Sequence, residues 1–485
     1  MQKLKFVRGF DEAFPSGRIF LVGGSVRDYF LGVESCDFDL VAEGVSLEEL
    51  LDYLKHFGSL VSIEGRAFGV VKFRPSDTKF TLDIALPRAE RYLPGQRRHH
   101  AEIKTKNITI EADLARRDFT VNAMAVDLQQ IDKLKGKSLK SKALIDPFRG
   151  LDDLKNKLIC AVGDPKERFV EDPTRILRGI RFAVKFDFTI ETNTWQAMKD
   201  ISLAVLAKFT DIRGRQIERV SAEMIGQEFT RAIMADPVKT ICLYDAAGLL
   251  KVIFPEIAAM QGVPQPLEYH DEGDVYVHTQ LALSNLPKDA SLRLRLATLL
   301  HDVGKPATFQ PAEQTGDRIR FNGHDQVGAK MAAQILRRLK MPGELTDDVF
   351  WLIQNHMKLL FSFPNMRKDK KKSFARNPLF HELICLATAD ALATIPLSGK
   401  PEVGFLGSVN KILDELAAEE ASGRPLEIIN GKEIIAVLKK KDPRFEPQIQ
   451  GKLIGAIKKE INSLYDRGKI RSKEEAISKV EGYRE

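Results

Sequence analysis

Residues 19–42 read IFLVGGSVRDYFLGVESCDFDLVA. The apolar run 19–22 predicts a short strand, Gly23-Gly24 a tight turn, SVRDYFL a helix and CDFDLVA a second strand. Two glycines let backbone approach a phosphate where a side chain would block it. The helix after them aims its free N–H groups and positive dipole end at the same anion. On an extended strand, residues two apart share a face, so Asp37 and Asp39 project together. Adjacent carboxylates repel unless cations sit there, and hard oxygen ligands suit Mg²⁺. A lone Gly-Gly is ordinarily a turn, and a lone D-x-D a solvated strand end. In the order strand, turn, helix, strand they form a phosphate cradle beside a divalent-metal pair, the equipment of phosphoryl or nucleotidyl transfer.

Working outward, FGVVKFRP and FTLDIAL predict further strands of an antiparallel or mixed sheet. Asp83 in the second is either a third acidic group near the metals or a solvent-facing strand residue. Residues 88–102 (RAERYLPGQRRHHAE) form a basic, Pro/Gly-broken loop, suited to a nucleic-acid phosphate or simply solvated. His99 and His100 there are too isolated for a metal site. In EADLARRDFTVNAMAVD, residues 112–117 continue a helix or turn, and FTVNAMAV is a strand or a buried helix. An arginine pair before a buried segment is a plausible phosphate clamp.

From Lys155 onward the chain reads as almost wholly helical. In EDPTRILRGIRFAVKF, Asp172 is a good N-cap with Pro173 at the first helical position. Arg175, Arg178 and Arg181 recur every three residues as a basic stripe, while Ile176, Leu177, Ile180 and Phe182 pack inward. IRGRQIERVSAEMIGQEF continues the helical neck, and the amphipathic pattern runs on to Met260 with breaks at Gly248 and Pro255. A second site begins near His270. Its candidate ligands are His278, the adjacent His301 and Asp302, His324, His356 and Asp390, most of them in or beside apolar helical runs. Nitrogen and oxygen donors of this kind suit Mn²⁺, Ni²⁺ or Mg²⁺. RKDKKKS at 367–373 reads as a basic loop, the chain becomes more basic toward KKK at 439–441, and EEAISKVEGYRE reads as a frayed or surface helix.

Composition sets the outer limits. A chain of 485 residues exceeds what one core ordinarily serves, about 250–300 residues. The hydrophobic share of 44% and charged share of 29% are ordinary for a globular protein, and the net charge of +7 weakly favours a polyanionic partner. No apolar run approaches the roughly 18 residues of a membrane span. The start, MQKLKFVRGFDEAF, carries charges where a signal peptide needs an apolar run. Cys36, Cys160, Cys242 and Cys385 lie far apart without C-x-x-C spacing, which predicts reduced, mostly core thiols in a cytoplasmic protein.

Three stretches carry a family resemblance. LVGGSVRD followed by CDFDL, RRDFTVNAMA, and E-D-x-x-R (Glu171, Asp172, Arg175) together resemble the class II CCA-adding enzymes and bacterial poly(A) polymerases, within the polymerase-beta-like nucleotidyltransferases. Glu218, Arg219 and Glu223 resemble that family's later motif, and IINGKEIIAVL its tail segment. The series His, His-Asp, His, His, Asp resembles the HD metal-dependent phosphohydrolase domain.

The fold implied is α+β: a nucleotidyltransferase head with a mixed or antiparallel sheet (1–150), then an all-α neck and body (151–260), an all-α HD domain (261–398) and a helical tail (399–485). The resemblance makes Asp37 and Asp39 the catalytic Mg²⁺ ligands. Gly23, Gly24, Arg27, Arg117, Asp118, Asn122, Asp172, Arg175, Arg178 and Arg181 become the nucleotide site, with Arg117 on the nucleotide and Asp118 and Asn122 around its sugar. The activity implied is template-independent completion of the tRNA 3′-CCA end from CTP and ATP, with the tRNA acceptor arm as partner and no membrane. An HD activity on 2′,3′-cyclic phosphates or phosphomonoesters accompanies it.

Asp172 and Arg175 suit that base choice. Cytosine and adenine both place an exocyclic amine beside a ring-nitrogen acceptor, which a carboxylate and a guanidinium read together. Rival readings are an A-adding or CC-adding partial enzyme, a poly(A) polymerase, and a nucleotide-binding RNA scaffold without activity.

Overall fold

The structure, a computed structural model, describes residues 4–34, 38–64, 70–91, 102–105, 107–130, 143–210, 214–397, 399–421, 428–443, 445–446 and 450–483. The chain divides into two compact units, 1–255 and 256–485.

The first unit is built on a mixed sheet whose strands are β1 (Arg18–Val22), β2 (Asp39–Glu43), β3 (Gly58–Glu64), β4 (Val70–Pro75), β5 (Leu82–Ala85), β8 (Ala125–Asp127) and β9 (Leu144–Ile145), with β6 (Ala89–Arg91) and β7 (Glu102–Lys104) forming a separate hairpin. Their order is β3-β4-β5-β2-β1-β8-β9. All pairs are antiparallel except β2 with β5, which run parallel. The strand, turn, helix, strand reading holds: β1 leads through Gly23 into the helix Gly24–Leu31 and then β2. Phe20, Val22 and Val41 join Ile110, Leu114 and Ala123 in a core against one face of the sheet, and their burial fixes the register.

RRDFTVNAMA resolves as neither a single strand nor a helix. Ile110–Ala115 is helical, Thr120–Asn122 a single 3₁₀ turn, and β8 comes next. The neck is mainly helical, but also carries two strand pairs, Leu158–Ile159 with Thr189–Ile190 and Lys208–Thr210 with Gln216–Glu218. The second corrects the continuous helix expected over IRGRQIERV. Gly214 takes φ +76°, a turn-forming conformation that a helix cannot contain, and the next helix, Ala222–Ala235, starts from the Ser221 cap.

The second unit is helical. Its tail has a core of its own, with Ile429, Ile434, Ile461, Ala476 and Val480 fully buried. The helix Lys473–Glu481 within EEAISKVEGYRE is therefore packed rather than frayed. RKDKKKS is likewise not a loop: Lys368–Ala375 is a helix. Much of its charge is spent inside the unit, with Lys372 on Glu419 at 2.6 Å, Arg376 on Asp466 at 2.9 Å, and Asp369 receiving Arg467 at 2.8 Å.

Among the described residues no helix is long and apolar enough to cross a membrane. Cys160 and Cys385 are half-buried and Cys242 exposed, less enclosed than expected. Cys36, Asp37, His99, His100 and most of the basic loop 88–102 lie outside the described residues.

Candidate active sites

In the first unit a cavity of about 520 Å³ gathers groups from six separate stretches of the chain. One wall carries Asp39 and Asp83, direct neighbours in the parallel register of β2 and β5. Residues paired in register share a face, so of the two readings of Asp83 the structure takes the one beside Asp39. Gly24 and Arg27 enter from the turn and helix after β1. Gly23 sits at φ +68° with its N–H donated to the Met124 carbonyl. That backbone conformation strains any residue with a Cβ, which would also come within 2.6 Å of the Arg117 guanidinium, so glycine is favoured there.

The opposite wall carries Arg116, Arg117, Asp118 and Asn122, with Asp172, Arg175, Arg178 and Phe182 from the neck. Its charges are paired with one another. Asp118 accepts Arg178 at 2.7 Å, the Phe119 N–H at 2.8 Å and the Asn122 amide at 3.3 Å. Burial alone would raise the Asp118 pKa, but Arg178 outweighs it and holds the group down at about 2. Arg27 is buried, donating to Asn122 at 2.5 Å and to Asp28, with its guanidinium 4.5 Å from the Phe186 ring centroid. Arg175 reaches Glu171 at 3.1 Å and the Arg116 carbonyl at 3.0 Å.

Arg181 does not line this cavity. It stacks 4.2 Å over Phe182 and pairs with the buried Glu228 at 2.6 Å, so the arginine stripe splits between cavity and neck core. Asp172 is not the N-cap expected: Pro173 holds that position without a side-chain cap, and Asp172 Oδ1 accepts the Thr174 N–H at 3.0 Å from one residue before it. The helix itself, Thr174–Phe186, begins one residue later than Pro173 would have it.

One residue that supports this wall without lining the cavity is not singled out by the sequence motifs. Asp113, wholly buried, accepts Arg116 at 2.7 Å, Arg117 at 3.1 Å and the backbone N–H of Arg88 at 3.2 Å. Its spacing of three and four residues from the two arginines on one helix is the available signal.

The second unit brings all six expected ligands together. One set is His278, His301 and Asp390, another Asp302, His324 and His356. Within each set the donor atoms lie within 4.8 Å of one another. His278 Nε2 is 3.0 Å from Asp390, His301 Nε2 3.2 Å from Asp302, and His324 Nε2 3.4 Å from Asp302.

Three imidazoles are oriented by main chain. His301, His324 and His356 place Nδ1 against the carbonyls of Thr298, Phe321 and Ile353, at 2.8, 2.9 and 2.6 Å. Nδ1–H donation leaves each Nε2 with a lone pair. All three Nε2 atoms are buried with no hydrogen-bond partner. Buried polar atoms are rarely left so, and converging lone pairs with two carboxylates fit a divalent metal.

Glycine makes the close packing possible: a Cβ on Gly304 would fall 2.3 Å from the His324 carbonyl. Burial disfavours charge on His301, but Asp302 and Asp390 outweigh it and raise its pKa to about 10, so a cation binding there takes the place of the Nε2 proton. His356, where burial dominates, falls to about 4. Glu272, Lys305 and Gln265 complete the surroundings, Lys305 reaching Asp302 at 2.7 Å and Gln265 at 2.7 Å. None of these three stands out in the sequence.

Comparison with known proteins agrees with this geometry. Residues 19–160 match the poly A polymerase head domain, 187–261 the "Probable RNA and SrmB- binding site of polymerase A", and 275–395 the HD domain. The A-adding tRNA nucleotidyltransferase of Deinococcus radiodurans is 32% identical over 432 residues, 88% of each chain. The multifunctional CCA protein of Laribacter hongkongensis is 34% identical over 341 residues, 70% of this chain and 74% of that one. In fold, a CCA-adding enzyme solved with CTP aligns over 98% of this chain and 93% of its own at TM-score 0.57 and 23% identity. The fold and sites define a nucleotidyltransferase head followed by an HD domain. The chain belongs to the tRNA nucleotidyltransferase and poly(A) polymerase family, and it is an enzyme of the nucleotidyltransferase class.

Proposed function

We propose that this protein completes or repairs the 3′-CCA end of tRNA from CTP and ATP, and that its HD domain is a metal-dependent phosphohydrolase. The observation that carries the first part is one cavity joining Asp39 and Asp83 on the sheet to Asp172 and Arg175 on the neck. Asp39, with Asp37 and Asp83, would hold Mg²⁺. Bound there, Mg²⁺ would activate the RNA 3′-hydroxyl for in-line attack on the α-phosphate and stabilise departing pyrophosphate.

The protein's own part is positioning. The helix start at Gly24, with Gly23 shaping the turn before it, and the Arg117 guanidinium face the triphosphate. Asp118 and Asn122, held to each other and to Arg178, shape the sugar pocket. Asp172 accepts the exocyclic amine of cytosine or adenine, and Arg175, released from Glu171, donates to the ring nitrogen. Uracil or guanine would leave these buried groups unpaired, at a cost of about 1–3 kcal/mol each. Arg178 and Arg181 secure this wall rather than touch the base.

His278, His301, Asp302, His324, His356 and Asp390 would hold Mn²⁺, Ni²⁺ or Mg²⁺ in the HD domain. Bound there, the metal would acidify a water for attack on a phosphoester such as a 2′,3′-cyclic phosphate. We assign residues 1–150 to the head, 151–260 to neck and body, 261–398 to the HD domain and 399–485 to the tail.

The test is incubation with tRNA lacking CCA and with tRNA ending in CC, supplied with CTP, ATP or both. The proposed activity adds CCA to the first and A to the second. A second reading, A addition alone, is favoured by the name of the Deinococcus relative that matches 88% of this chain. It predicts extension of the CC-ended tRNA only.

A further inference from the structure

Four histidines serve the HD cluster, and one differs from the rest. His301, His324 and His356 are each oriented by a neutral main-chain carbonyl. His278 is oriented by a carboxylate: its Nδ1 lies 2.8 Å from Glu272 Oε1. The Glu272 side chain is fully buried. The same oxygen receives His270 Nδ1 at 2.6 Å, and Oε2 accepts the Ile395 N–H at 2.9 Å.

Both ends of this arrangement lead to ligands. Glu272 lies six residues before His278, just ahead of the helix Val275–Ser284. Ile395 lies five residues after Asp390, just past the helix Phe380–Ala393. One buried carboxylate therefore ties together the two helices whose ligands, His278 Nε2 and Asp390 Oδ1, stand 3.0 Å apart. With Nδ1 held by Glu272, Nε2 is left facing Asp390 Oδ1, where either a proton or a metal cation joins the two.

We propose that Glu272 is the positioning residue of the HD metal centre, fixing His278 as an Nε2 donor, strengthening it as a base, and holding its helix in register with that of Asp390. The proposal rests on the HD cluster binding a divalent metal. Carboxylate–histidine–metal pairs of this type contribute about 10–100-fold to metal affinity.

The test uses the full chain stripped of metal with a chelator, then titrated calorimetrically with Mn²⁺ and, in parallel, with Co²⁺ followed by its visible d–d absorption. Glu272→Gln keeps the shape but loses the charge, and its amide cannot accept from both the imidazoles and the Ile395 N–H. Mn²⁺ affinity is expected to fall about 10–100-fold, with shifted Co²⁺ bands as His278 loses its orientation. A loss of packing alone would leave the bands of the folded protein unchanged. His270→Ala removes the other imidazole but keeps the His278 contact, so it should stay within about 3-fold of wild type.

Should the glutamine variant not fold, Glu272→Asp, which keeps the charge with shorter reach, should still weaken binding and move the Co²⁺ bands. A wild-type protein that takes up neither metal overturns the metal reading of the HD cluster, and this proposal with it. Wild-type binding that the soluble Glu272 variants retain in full, with an unaltered Co²⁺ spectrum, overturns the positioning role alone.

Discussion

The cavity of the head and the cluster of the HD domain solve opposite problems with similar residues. In the head, the polar groups are satisfied by one another: Arg178 by Asp118, Arg175 by Glu171, Arg117 by Asp113. A nucleotide must exchange with some of these partners, which suits a site that accepts two bases and a growing RNA end in turn. In the HD cluster three imidazole nitrogens are left without partners and aimed at two carboxylates. There an entering cation takes the place of a proton on His301 and competes with Lys305 for Asp302, while the main-chain contacts that orient the imidazoles stay in place. Exchangeable pairing makes a site for a changing substrate, and fixed convergence makes one for a resident ion.

The comparison breaks most decisively at the metal ligands. Asp39→Ala should lower nucleotide addition by about 10²–10³-fold or more, with HD hydrolysis unchanged, read by gel extension of tRNA lacking CCA. His301→Ala should do the reverse, removing metal-dependent phosphoester hydrolysis while leaving addition within about 2-fold, as expected for sites that share no partners. Loss of both activities in either variant would show the two sites to be coupled.

Base reading comes next. Asp172→Ala should cut the preference of kcat/KM for CTP over UTP by about 5–150-fold, the equivalent of 1–3 kcal/mol. Its Oδ1 also accepts the N–H and hydroxyl of Thr174, so a stability loss of about 0.5–1.5 kcal/mol per hydrogen bond should accompany this. A uniform slowing of all four nucleotides with an unchanged ratio would leave Asp172 only that structural role.

The exchangeable pairs should also show in acid. Asp118 is held at about 2 by Arg178 against the burial that opposes it. A folded-state pKa below the unfolded value stabilises above the unfolded pKa, about 4, and the benefit is lost as pH falls from there through about 2. Asp118→Asn should therefore cost about 2 kcal/mol at pH 7, and the gap to wild type should close between pH 4 and 2 in denaturant titrations of the full chain. A gap independent of pH would mean that packing, not charge, holds Asp118.

The smallest effect is expected at the basic helix Lys368–Ala375, whose charges are largely engaged within the unit. Lys368→Ala, which removes a lysine already paired with Glu415 at 2.9 Å, should change tRNA affinity less than about 3-fold and leave the salt slope unaltered, whereas losing a phosphate contact lowers that slope by about 0.7–0.9. A drop of that size would restore RKDKKKS as an RNA contact.

Short-range features are legible in the chain itself. Gly23 and Gly24 mark the strand-to-helix turn, and the apolar helices around His301 and His356 the setting of the ligands, because each depends on neighbours within a few residues. The basic helix and the C-terminal helix are misread from sequence for want of a clear apolar period. Their burial is set by partners such as Glu419 for Lys372 and the tail core for Ala476 and Val480.

By itself, then, the sequence determined the inventory: which residues could bind phosphate, base and metal, and in which local element most of them sit. The tertiary structure decided which of them meet. Asp83 became a partner of Asp39 only through the parallel pairing of β2 with β5. Arg181 left the cavity only because Glu228, on another helix, holds it. Glu272, an ordinary acid in a Gly/Asp-rich turn, reached His278 and Ile395 only when two helices far apart in the chain packed together. Local pattern is set by backbone geometry over a few residues. Juxtaposition across a hundred residues is set by burial of whole faces, and no short stretch of chain encodes it.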